Sequence, residues 1–186
     1  MLWVGTSNFA CGIFVDFQKA FDTVDHGILL DWFKSYLSNR LQYVSINGFH
    51  SKNEMMKYGV PQWLVLGPLL FLIYINDLRN AIYHSTVHLF ADDTNLLYTN
   101  KSLKFIQKIM NKDLKSLCTW LRANKISLNA SKTELIIFRD PRKKITYSMK
   151  IKINGKKLTP YSSVKYLGIY IDEHLNWNTH LAELRP

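Results

Sequence analysis

Three aspartates stand where carboxylates can do more than hold water. Asp92 and Asp93 are adjacent in residues 88–98, which read HLFADDTNLLY. An apolar run enters the pair and a second apolar run leaves it, so two short strands meeting at an Asp-Asp corner are expected. Carboxylates held side by side repel, and one of them must take a raised pKa unless a cation joins them. Asp is also a favoured turn residue, because its side chain bonds the local backbone, so the pair taken alone reads first as a plain turn. The third, Asp16, closes the apolar run 12–15 (GIFV). A core strand rarely accepts an unpaired charge there. If the two strands share a sheet, their ends come together. Carboxylates from two sources at one sheet edge make an oxygen-rich site suited to magnesium. Two such ions clamp the attacking and leaving oxygens of a phosphoryl transfer.

The elements that must position these groups follow from pattern. Residues 12–15 read as a buried strand. After Asp25, a 3.6-residue spacing of Leu29, Leu30, Phe33, Tyr36 and Leu37 predicts a helix. Residues 41–46 read as a strand turning at Asn47-Gly48, with residues 55–58 as its returning partner. Residues 58–62 form a loop punctuated by Gly and Pro. A long apolar helix is expected over 64–82, with Gly67-Pro68 in its first turn. Residues 101–123 make an amphipathic helix whose stripe is Leu103, Ile106, Met110, Leu114, Leu117 and Leu121. Its lysines lie largely off the stripe, as on a solvated face. A strand over 135–138, a hairpin over 148–158 turning at Asn154-Gly155, a strand over 164–171 and a helix over 174–184 complete the reading.

Composition narrows the class. The chain has 186 residues, enough for one domain with a sizeable core. Its net charge of +10 is uneven. Residues 1–100 hold 6 Lys and Arg against 8 Asp and Glu, a balance of −2; residues 101–186 hold 18 against 6, a balance of +12. A basic half beside an acidic one suits a protein that binds a polyanion and also holds cations. Cys11 and Cys118 are too few for a disulfide framework or a Cys-rich zinc site, which points to a reduced, intracellular setting. The first residues carry no basic region of a signal peptide. The longest uncharged apolar run, 63–75, is too short to span a bilayer, so no membrane partner is expected.

Five segments in order resemble the reverse transcriptase domain of non-LTR (LINE-like, jockey-type) retrotransposons: FVDFQKAFDTVDHGILL, GVPQWLVLGPLLFLIYINDL, LFADDTNLLY, WLRANKISLNASKTELIIF and VKYLGIYID. They cover nearly the whole chain. The resemblance implies an α+β fold, a polymerase palm of antiparallel sheet packed on helices, with partial fingers. Residues 1–172 would be the palm core and 173–186 the start of a thumb. It implies RNA-directed DNA polymerisation, in which a primer 3′-OH attacks the α-phosphate of a deoxynucleoside triphosphate. RNA template and DNA primer are the implied partners. Two Mg2+ ions, or Mn2+ in their place, are the implied cofactors.

Carried over by position, Asp16 matches the first catalytic aspartate, Asp92 the second metal ligand and Asp93 its less essential neighbour. The Phe17 carbonyl would also sit at the metal and triphosphate. Phe21 matches the bulky gate under the nucleotide sugar. Pro61 and Gln62 match the loop that touches incoming nucleotide and template. Lys132 matches a proton donor to departing pyrophosphate. Tyr166, Leu167 and Gly168 match the primer-grip turn. One departure is chemical. The family usually has Pro-Gln-Gly-Ser where this chain has Pro-Gln-Trp-Leu, and the Trp63 indole would crowd a place where Gly lets backbone approach substrate. The fingers basic residues, the rest of the thumb and the endonuclease region of the parent elements have no counterpart here. The alternative reading is therefore an impaired or inactive transposon-derived remnant that at most binds nucleic acid.

Overall fold

The computed structural model describes residues 9–18, 39–56 and 66–184. The helix expected after Asp25, the loop around Pro61, and the site residues Phe21, Pro61, Gln62 and Trp63 lie outside the described residues.

At the centre runs β1, Phe9–Val15. On one side it pairs antiparallel with β8, Asp93–Asn100, and on the other with β10, Glu134–Phe138. β7, Thr86–Phe90, extends the sheet beyond β8. β13, Pro160–Tyr161, adds to β10 in parallel. The five-stranded order is β13-β10-β1-β8-β7, so the sheet is mixed rather than purely antiparallel. The parallel pair is short, because Pro160 has no N–H to give the ladder.

The two faces of β1 bury different things. Cys11, Ile13 and Val15 join Leu96, Tyr98, Leu135 and Ile137 in the main core. Burial pushes the Cys11 thiol up to about 12. Helix α2, Leu103–Ala123, covers this face with Ile106, Met110, Leu114 and Leu117. It starts at Leu103, two residues later than expected, because the Ser102 hydroxyl accepts the Phe105 N–H as a cap. Helix α1, Leu66–Ile75, buries Leu70, Phe71, Tyr74 and Ile75 in the same core, and Pro68 sits in its first turn. The long helix expected here stops at Ile75 and tightens into a 3-10 turn over Asn76–Ala81. Asn76, Asp77 and Asn80 explain the change, because short polar side chains compete for the backbone and favour turns. Among the described residues, no helix is long and apolar enough to cross a membrane.

On the opposite face, Ala10, Phe14, Leu97, Ile136 and Phe138 pack on Val164 and Ile171. Gly12 shares this face, where a Cβ would stand 3.2 Å from the Phe14 ring and 3.3 Å from the Phe138 ring. Val164 and Ile171 belong to a hairpin, β14 Ser163–Tyr166 and β15 Ile169–Asp172. The single strand expected over 164–171 is thus two strands, turning at Leu167 and Gly168 with φ of 48° and 81°. Positive φ at both central residues is the hairpin geometry that matches strand twist. The hairpin expected at Asn154-Gly155 forms as β11 Ile151–Ile153 and β12 Lys156–Leu158. Asn47-Gly48 likewise turns a small ribbon, in which Ser45–Ile46 pairs with Phe49–His50 and Leu41–Gln42 with Glu54–Met55. The last helix is shorter than expected. α3 spans Asn178–Leu184, because Asp172 Oδ1 first accepts the N–H groups of His174 and Asn176 and holds a turn there.

Candidate active site

The aspartates are placed by backbone register. Phe90 pairs with Asp93, which leaves Ala91 and Asp92 as the two turn residues between β7 and β8. The corner is therefore Ala-Asp, and Asp93 already belongs to β8, where an Asp-Asp corner was expected. The physical reason is the period-two pattern of β8. Thr94, Leu96 and Tyr98 must face the core, and a one-residue slip would turn them out. Ala91 takes a φ of 51°, a left-handed conformation uncommon for any residue with a side chain.

Val15 lies opposite Thr94, so Asp16 emerges from β1 beside Asp93. The Asp16 carbonyl accepts the Asn129 N–H at 2.9 Å. Beyond it, β2, Phe17–Gln18, pairs with β9, Ser127–Leu128. With the Asp16 carbonyl engaged, Phe17 and Leu128 form the pair that exchanges no hydrogen bond, so the Phe17 carbonyl points off this ladder. The Phe17 side chain is buried.

Electrostatics ties the three carboxylates together. The Asp93 carboxyl is raised above its ordinary range, first by burial, then by the Asp92 charge and the Asp16 charge. Asp92 and Asp93 are exposed and Asp16 is half-buried. The carboxylates sense one another, yet among the described residues no three His, Cys, Asp or Glu side chains close into a metal shell. Their oxygen-only chemistry fits a hard divalent cation, whose charge relieves the repulsion that raises Asp93.

Tyr166 is brought to the same place. Its ring packs on Phe14 with centroids 5.0 Å apart. Its phenol is pushed up by burial and by the Asp93 charge, against a hydrogen bond to Asn95. Leu167 and Gly168 form the exposed turn just beyond. Alternation along β1 and β8 puts Asp16 and Asp93 on the Phe14 and Asn95 side of the sheet, away from α2.

Lys132 is exposed in a turn after β9. Asn129 organises that turn. Its carbonyl accepts the Lys132 and Thr133 N–H groups at 3.1 and 3.0 Å, and its Oδ1 accepts the Ser131 hydroxyl at 2.6 Å. Asn129 thus links the Lys132 turn to Asp16 through one backbone bond. Sequence reading passed over it, although Asn ahead of Ala-Ser is a turn signal.

Asp113 was passed over as well. It is 1% exposed and receives the N–H groups of Tyr83 and His84 at 3.4 and 3.1 Å, and His84 Nδ1 at 2.7 Å. It therefore ties α2 to the entry of β7, the strand that leads to Asp92. Its signal was its position, seven residues after Ile106 on the apolar stripe, where a carboxylate must find partners.

Residues 5–171 match the family described as reverse transcriptase (RNA-dependent DNA polymerase). The chain is 28% identical over 196 residues to the RNA-directed DNA polymerase from mobile element jockey of Drosophila melanogaster, covering 95% of this chain and 21% of that protein. It is 31% identical over 189 residues to the probable RNA-directed DNA polymerase from transposon BS of the same fly, covering 91% and 21%. A Pol polyprotein from type-1 retrotransposable element R1 of Bradysia coprophila is 25% identical over 191 residues, covering 95% and 19%. The chain spans about one fifth of the length of these relatives.

Proposed function

The chain belongs to the reverse transcriptase family, and on that premise we propose that it is the palm core of an RNA-directed DNA polymerase, extending a primer 3′-OH on an RNA template. The observation that supports this most is the convergence of Asp16, Asp92 and Asp93, from two strands, at one end of the sheet. In this reading residues 1–172 are the palm and 173–186 the start of a thumb, and the setting is intracellular.

The residues divide the work as follows. Asp16, Asp92 and the Phe17 carbonyl would hold two Mg2+ ions, or Mn2+, with Asp93 as a neighbouring carboxylate. Bound there, the ions would supply charge stabilisation at the attacking and leaving oxygens. Tyr166, Leu167 and Gly168 present an exposed hairpin beside the carboxylates, suited to hold the primer end. Lys132 is an exposed ammonium on a turn anchored to Asp16, and would give a proton to departing pyrophosphate. Phe21 would stand under the deoxyribose, and Pro61 and Gln62 against the nucleotide and template. Primer extension with magnesium on an RNA template tests the reading.

A second reading has its own observation. Trp63 follows Gln62, at a position where the resemblance implies a glycine beside the substrate. An indole there leaves a domain that binds nucleic acid without extending it.

A further inference from the structure

Helix α2 carries most of its positive charge to one side, with Lys112 off it. At about 3.6 residues per turn, Lys104, Lys108, Lys115 and Arg122 lie within roughly a quarter-turn of the line through Gln107 and Asn111. That line is where β11 docks. Gln107 Oε1 accepts the Lys150 N–H at 2.6 Å, and Asn111 Oδ1 accepts the Lys152 N–H at 3.2 Å. Asn111 Nδ2 donates back to the Lys150 carbonyl at 3.0 Å. The two side chains serve β11 as a neighbouring strand would. Arg122 Nη2 reaches Asn154 Oδ1, at the hairpin turn, at 3.4 Å. Helix and hairpin therefore form one rigid surface.

The hairpin adds charge to that surface. Ile151 and Ile153 are buried, so alternation turns Lys150 and Lys152 outward, where both are exposed. Lys157 stands directly opposite Lys152 in the β11–β12 register. Like charges so placed destabilise a strand pair, and an anion bridging them removes the penalty. Among the described residues, no acidic side chain offsets this band. The one carboxylate of α2, Asp113, is buried, and no Asp or Glu occurs from 141 to 171. Among the described residues, no carboxylate forms an ion pair with Lys104, Lys108, Lys115, Lys150, Lys152 or Lys157.

The band lies behind the sheet. α2 covers the Cys11–Ile13–Val15 face, whereas the carboxylates open on the Phe14 and Tyr166 side. We infer that Lys104, Lys108, Lys115, Lys150, Lys152 and Lys157 form a second docking surface for a nucleic-acid backbone, separate from the carboxylate site. The three helix lysines span about 16 Å of rigid helix, room for several phosphates. The inference rests on the nucleic-acid reading above and deepens it. A strand bound here runs along the back of the domain and is not the one whose end meets Asp16 and Asp92.

The test is the salt dependence of binding to a labelled single-stranded RNA of mixed sequence and to a duplex DNA, for the full chain. The triple variant Lys115→Gln/Lys152→Gln/Lys157→Gln should lower the slope of log affinity against log salt by about 2 on the RNA and nearly 3 on the duplex. The matching Arg triple should keep the parent slope, and unchanged circular dichroism shows that each variant is folded. Loss on RNA alone would assign the surface to RNA, and loss on both to backbone phosphate in general. An unchanged slope in the Gln triple, with Lys165→Gln on the carboxylate side lowering it, would overturn this surface and leave the proposed function standing. No binding of either probe by the parent would remove both. Retention on vesicles of acidic phospholipid, abolished by the Gln triple and without RNA binding, would also overturn it.

Discussion

Removing the Asp113 carboxylate should loosen the approach to the β7–β8 hairpin that carries Asp92 and Asp93. Asp113 is buried and holds the Tyr83 and His84 N–H groups and the His84 ring. Asp113→Ala strands both backbone donors at once. An unsatisfied buried donor costs about 1–3 kcal/mol. The His84 side chain is 29% exposed, so water reaches part of this loop and the lower half of that range applies to each donor. The expected loss is about 2–4 kcal/mol, a large share of the ~5–15 kcal/mol that holds a domain together. Asp113→Asn keeps one acceptor oxygen and should cost about 1–2 kcal/mol. His84→Ala leaves both backbone bonds in place and should cost less than about 1 kcal/mol, because its ring bond is partly exposed. Urea unfolding followed by tryptophan fluorescence reads all three, and the alanine variant should lower the midpoint by roughly 1 M or more. His84→Ala costing as much as Asp113→Ala would refute the reasoning, since it would put the energy in the ring and not in the backbone donors.

Asp93 gives a pH signature. Its carboxyl is raised in the folded chain, so its ionisation opposes folding, and this penalty is absent at pH below its unfolded pKa and complete above its folded one. Asp93→Asn should therefore stabilise the metal-free chain modestly at neutral pH and not at pH 3, and a denaturation series showing the same effect at both would contradict the assignment. Gly12→Val should cost about 1–3 kcal/mol, because the added carbons meet the Phe14 and Phe138 rings; a thermal midpoint equal to the parent's would show that these rings yield freely. Trp63→Gly should raise nucleotide affinity or extension, and no change in either would place the indole outside the pocket.

What the sequence made legible divides by the range of the forces involved. The stripe of α2 and the Asn-Gly turns at 47–48 and 154–155 are local signals, and each appears where it was read. The strand over 164–171 was misread because Leu167 turns inside an apolar run, at a φ that its side chain does not advertise. The helix after Leu66 was drawn too long because its hydrophobicity continues through Leu78 while its backbone partners do not. The three aspartates stood out by type and spacing. Their supports, Asn129, Asn95 and Asp113, did not, because each acts through a partner that only the register of distant segments brings near.

Magnesium-dependent primer extension on an RNA template, with Asp92→Asn as control, tests the central claim most directly. The account predicts template-directed extension by the parent chain and none by the variant. Equal extension by both would contradict the carboxylate assignment. No extension from a folded parent that still binds RNA would leave the family's fold without its chemistry and hand the account to the binding reading.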